Sequence, residues 1–139
     1  MFVLDTNHVT ELAYDSARGS RLRRRLREAR AEVATSVITL EEELRGWLAR
    51  INRERTPAAQ VPVYEKLIER VMFFSRWSIL PLDDESAATF VRLRAQGIRI
   101  GTQDLKIAAI TLAHEATLLK RNTADFTQVP GLKFENWLD

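Results

Sequence analysis

Cysteine is missing from this chain of 139 residues. That removes disulfides, thiolate metal sites and cysteine nucleophiles together. Long apolar runs are missing too. Nothing approaches the roughly 18 uninterrupted apolar residues of a membrane span, so no membrane partner is expected. No basic stretch precedes the N-terminal apolar run, so a secretory signal is not expected and a cytoplasmic location is. Histidine occurs twice, and neither His8 nor His114 stands in a zinc-like pattern. Charge of one sign is scarce as well: the formal net charge is +2, which makes no global case for nucleic acid. There is no internal repeat and no low-complexity segment.

What is present is an apolar content of 45%, enough for a core, in a length that suits one domain over 1–139. FVLD reads as a short buried strand, and HVTELAY as a first helix opening at Thr6 or Asn7. RLRRRLREAR spaces Leu22, Leu26 and Ala29 for a helix with an arginine-covered face, either solvated or in contact with phosphates. EVATSVI is β-branched and strand-like. TLEEELRGWLARINRER carries Leu40, Leu44, Trp47, Leu48 and Ile51 on one stripe, and Thr56 with Pro57 opens a further helix, apolar on one face. SILPL is a strand, DDESAATFVRLRAQG a helix ending at Gly97, and DLKIAAITLAHE a helix apolar almost all round. TLLKRN is another strand, TADF a helical turn and GLKFENWL a last strand with a tail. Strands alternating with helices predict an α/β domain with a central, mainly parallel sheet flanked by helices.

Acids stand where strands or loops give way to helices: Asp5, Glu42, Asp104 and Asp125. A carboxylate there accepts orphan N–H groups and opposes the helix dipole. Thr39 and Glu42 have the spacing of a capping box, and Asn122 and Asp125 share it. Asp83 and Asp84 fit capping and nothing more. The Leu40/Leu44/Trp47 stripe puts Glu42 nearly opposite, on an exposed face. Topology offers another reading. In an open parallel sheet, strand ends and the helix starts that follow them share one edge, so the four acids would meet there. Converging carboxylates repel, and a divalent cation relieves the conflict. Oxygen-only ligation suits Mg²⁺, with Mn²⁺ as a substitute.

In order along the chain, LDTN (4–7), TSVITLEEELRGWLA (35–49), IGTQDLKIAA (100–109), RNTADF (121–126) and the ending VPGLKFENWL resemble the PIN-domain ribonucleases, and among them the VapC-type toxins of toxin–antitoxin pairs. The resemblance covers essentially the whole chain. It implies metal-dependent hydrolysis of RNA at Asp5, Glu42, Asp104 and Asp125, with Glu42 in the pattern of Ser36, Thr39 and Glu42. The neighbours Glu41 and Glu43 leave that register open. It implies support from Thr6, Asn7, Thr39 and Asn122. An antitoxin partner and a homodimer are implied too, with Phe73, Phe74 and Trp77 either a contact surface or core. Beside the acids, Arg99, Lys120 and Arg121 are candidate RNA contacts or plain surface charges, and the RNA would be read by shape or as a single-stranded loop. Two rivals stand beside this reading. A haloacid-dehalogenase-type phosphotransferase needs an acid where Asn7 stands. A catalytically inactive PIN-like binding module would ordinarily lack one of the acids.

Overall fold

The computed structural model describes residues 1–139. Its centre is strand β1 (Phe2–Leu4), flanked by β2 (Val33–Ser36) and β4 (Thr117–Leu119). The edges are β3 (Ile79–Leu80) and β5 (Lys133–Glu135), giving the order β3-β2-β1-β4-β5. Every pairing is parallel rather than mainly so. An all-parallel sheet needs helices on both faces. The alternation along β1 divides its residues accordingly: Val3 belongs to one core cluster, Leu4 to the other.

On the Val3 face lie α5 (Asp84–Ala95) and α6 (Thr102–Ala113), which bring Leu93, Leu105, Ile107 and Ile110 against Ala34 and Leu118. On the Leu4 face lie α1 (Thr6–Ala13), α2 (Ala17–Ala29) and the end of α4 (Pro57–Phe74), with Val9 and Phe74 against Leu119. Phe73 and Trp77 pack into this second cluster, so the aromatic trio is core. Helix α3 (Val37–Arg53) pairs with α4 through Trp47, Ile51 and Val63. Thr56 caps α4 by accepting from the Ala59 N–H, with Pro57 in the first turn. No helix is long and apolar enough to cross a membrane.

Three expectations are corrected. Helix α3 opens at Val37, because Ser36, not Thr39, is its cap and accepts from the Thr39 N–H at 3.1 Å. The stripe on α3 is two surfaces: Trp47 and Ile51 are buried against α4, while Leu44 and Leu48 line an open apolar groove. The turn after β4, a 3-10 helix (Ala124–Gln128), is preceded by Thr123 rather than capped by Asn122. Asn122 instead accepts from the Ala124 N–H, an Asx-type turn.

Two local constraints hold the Leu4 face. Gly19 is buried where α2 crosses the end of α1, and a Cβ there would overlap the carbonyl oxygen of Glu11. His8 is fully buried on α1; its Nε2 accepts the N–H of Trp137 at 3.2 Å, and its Nδ1 has no partner. Burial is the main cause that lowers the His8 pKa to about 4, against the opposing pull of Asp5. The neutral ring therefore anchors the C-terminal tail.

Gly19→Ala is expected to destabilise the protein by about 1–3 kcal/mol in chemical denaturation, because overpacking against a backbone atom outweighs the better helix propensity of alanine. A gain in stability would contradict the close approach. The unfolded chain binds a proton at His8 near the ordinary histidine value, whereas the folded protein resists it down to about 4. Stability is thus fully present above the ordinary value and lost as pH falls between the two. Melting curves should show this loss, and His8→Gln should flatten it.

Candidate active site at the carboxyl edge of the sheet

The register of the strands decides what meets at this edge. Leu4 pairs with Thr35 on one side and Leu119 on the other. The next residues, Asp5, Ser36 and Lys120, therefore emerge abreast. The Thr35 hydroxyl ties the junction by donating to the Leu4 carbonyl at 2.7 Å.

Asp5 is 5% exposed. It occupies the cap position of α1, yet its carboxylate makes no capping hydrogen bond. Instead Oδ2 accepts from Lys120 Nζ at 2.5 Å and Oδ1 accepts from the Thr39 hydroxyl at 3.3 Å. Asp83 behaves in the opposite way, accepting from the Ser86 N–H and hydroxyl at 2.9 and 2.7 Å and so capping α5. Those bonds hold the Asp83 carboxyl below its ordinary pKa. Local stabilisation thus accounts for Asp83 and does not account for Asp5.

Glu42 is half-buried and faces the same edge, contrary to the exposure its periodicity predicts. Its Oε2 accepts from the Thr6 hydroxyl at 3.0 Å. With Ser36 as the cap, Glu42 lies beyond the first turn of α3, where a capping box has no use for it. The adjacent acids point elsewhere. Glu41 accepts from Arg45 at 2.6 Å and from Gln103 at 2.7 Å. Glu43 forms a buried ion pair with Arg70 at 2.5 Å and accepts from the Trp47 indole at 3.2 Å. Burial above all, then repulsion from Asp5 and Asp104, raises the Glu42 pKa against the help of Thr6 and Lys120.

Asp104, in the first turn of α6, forms an ion pair with Lys120 Nζ at 3.3 Å. Lys120 thus bridges Asp5 and Asp104 instead of facing solvent. Desolvation pulls its pKa down, but Asp5 and Asp104 together outweigh it, so the ammonium stays charged. The remaining expected residues make no hydrogen bond or ion pair to these groups. Asp125 is exposed on the 3-10 helix and makes no side-chain hydrogen bond or ion pair, and Asn122 is exposed beside it. Asn7 is exposed, without a bond to Asp5. Arg121 is held by Asp139 at 3.1 and 3.3 Å, while Arg99 is exposed and unpaired.

The side chains that could hold a divalent cation are therefore Asp5, Glu42 and Asp104, all oxygen donors of the kind hard cations take. No three acids converge within ligating distance of one point. The fit rests on the ammonium seated between Asp5 and Asp104, which marks where this edge accepts positive charge.

Known proteins share this architecture. Ribonuclease VapC2 of Rickettsia felis is 34% identical over 70 residues, which is 48% of this chain and 52% of that protein, so the likeness spans about half of that relative's length. Ribonuclease VapC2 of Haemophilus influenzae is 28% identical over 141 residues, covering 99% of this chain and 98% of that one. Among solved structures, VapBC2 from Rickettsia felis bound to a promoter DNA fragment has a TM-score of 0.71 at 23% identity, over 98% of both chains. At that identity the likeness is one of fold. The sequence model of the PIN domain matches residues 2–132, and the chain belongs to the PIN domain family.

Proposed function

We propose that this protein is a cytoplasmic, metal-dependent endoribonuclease and the toxin of a toxin–antitoxin pair. The observation that carries the reading is the Asp5–Lys120–Asp104 bridge with Glu42 beside it, carboxylates turned away from capping and toward one another. Relatives named ribonuclease and structural neighbours that are VapBC assemblies support the substrate and the partner. Mg²⁺ is the natural cation for an oxygen-only donor set, and Mn²⁺ its substitute.

Asp5 and Asp104, with Glu42, would hold the ion. When bound, it supplies Lewis-acid polarisation of the phosphate and a water of lowered pKa. Glu42, when ionised, would be the base that accepts the proton of the attacking water, its proton affinity raised chiefly by burial and its other oxygen held by Thr6. Thr39 keeps Asp5 in orientation. Arg99, free of acidic partners, is available to an RNA phosphate.

Cleavage of a panel of structured RNAs with Mg²⁺ tests the reading. Asp5→Asn and Asp104→Asn should each lose activity by about 10²–10³-fold, the several kcal/mol that metal ligation contributes. Asp125→Asn should lose less than about tenfold, since Asp125 is exposed and has no share in the Lys120 ion pairs that join Asp5 to Asp104. Undiminished cutting by Asp5→Asn would sink the assignment.

A further inference from the structure

Lys120 is an unusual lysine. Its backbone is fixed in the sheet, where its N–H donates to the Glu135 carbonyl at 3.0 Å. Its ammonium lies 5.3 Å from the ring centroid of Phe126, a residue with no exposed surface. Nζ reaches Asp5 Oδ2 at 2.5 Å and Asp104 Oδ1 at 3.3 Å. A surface lysine trades such positions freely for water; this one is held by strand, ring and two carboxylates.

The charges around it can be counted. Asp5, Glu42 and Asp104 present three carboxylates to one ammonium. When all are ionised, two negative charges remain, which one divalent cation neutralises. A second divalent cation would leave the edge with an excess of two positive charges, more than the single negative charge of a phosphodiester offsets. The free acceptors agree: Glu42 Oε1 and Asp104 Oδ2 accept no hydrogen bond, while Asp5 Oδ2 is occupied by Lys120. An ammonium is a compact point charge with three donors and no coordination demands, so it can neutralise a carboxylate pair or a phosphate oxygen without ligand exchange.

We propose that Lys120 takes the place of one of the two cations of a two-metal nuclease site, so that this protein binds a single divalent ion. The inference rests on the metal-nuclease reading above and adds to it the number of ions and the residue that sets it.

The test counts ions rather than turnover. The full chain is stripped with EDTA and titrated with Mn²⁺, bound ions being counted by calorimetry and by the paramagnetic resonance of free Mn²⁺. Wild type should take up one ion at this edge. Lys120→Met, which keeps the stem over Phe126 and removes the charge, should take up two. Lys120→Arg, which keeps the charge, should return to one. Circular dichroism checks that each variant is folded; if Lys120→Met is not, the wild-type count decides alone. Two ions in wild type, or one in folded Lys120→Met, would overturn the proposal. Wild type that takes up two ions and cuts RNA overturns only the part given to Lys120. Wild type that takes up none and cuts nothing overturns the nuclease reading with it.

Discussion

A carboxylate at the end of the central strand, 5% exposed, is the constraint around which the rest is arranged. An ionised group so placed is strongly unfavourable unless charge and hydrogen bonds answer it. Asp5 receives both from parts of the chain far off in sequence: the ammonium of Lys120 and the hydroxyl of Thr39. Each supplier has its own determinant. Lys120 is delivered by the pairing of β1 with β4, in which Leu4 faces Leu119. Thr39 is delivered by Ser36, whose hydroxyl caps α3 and turns its first residues toward Asp5. The site is thus a consequence of sheet register and one helix cap.

The second acid depends on the rotation of α3. Three consecutive glutamates offer three settings, and two of them are committed. Glu43 is locked to Arg70 in an ion pair whose partners are only 14% and 8% exposed. Removing either partner would strand a buried charge, which is far costlier than the pair itself is favourable. Glu41 is held by Arg45 and by Gln103 from α6. With its neighbours tied to opposite flanks, Glu42 can only face the edge, where burial and like charge raise its affinity for protons. The helix accepts this local conflict because its neighbours hold it in place. Such a conflict, kept by surrounding structure, is typical of positions retained for chemistry.

Much of this was legible in the residues, though unevenly. A charged residue ending the run MFVL announced Asp5, and alternating strands and helices announced the parallel sheet. The cap of α3 is ambiguous in the sequence because Ser36 and Thr39 are both hydroxyl residues with a suitable partner three positions on; only backbone geometry chooses between them. The facing of Glu42 departs from its periodicity for a different reason. Leu44 and Leu48 line an open groove, so the single apolar stripe is a mixture of two surfaces. The role of Lys120 was illegible, since nothing local tells a lysine after a strand which carboxylate stands beside it. Asp125 shows the converse: its motif marks an acid, yet the 3-10 helix that carries it leaves the side chain exposed and without a hydrogen-bond partner.

The proposed site draws negative oxygens from three separated elements to one edge of the sheet to take up a hard cation. Crystals of the full chain grown with Mn²⁺, with diffraction collected at the manganese absorption edge, test it most directly. The account predicts an anomalous peak in contact with the carboxylates of Asp5 and Asp104, on the side of Glu42. Saturating Mn²⁺ with no peak there, or with peaks only on other faces of the molecule, would contradict it.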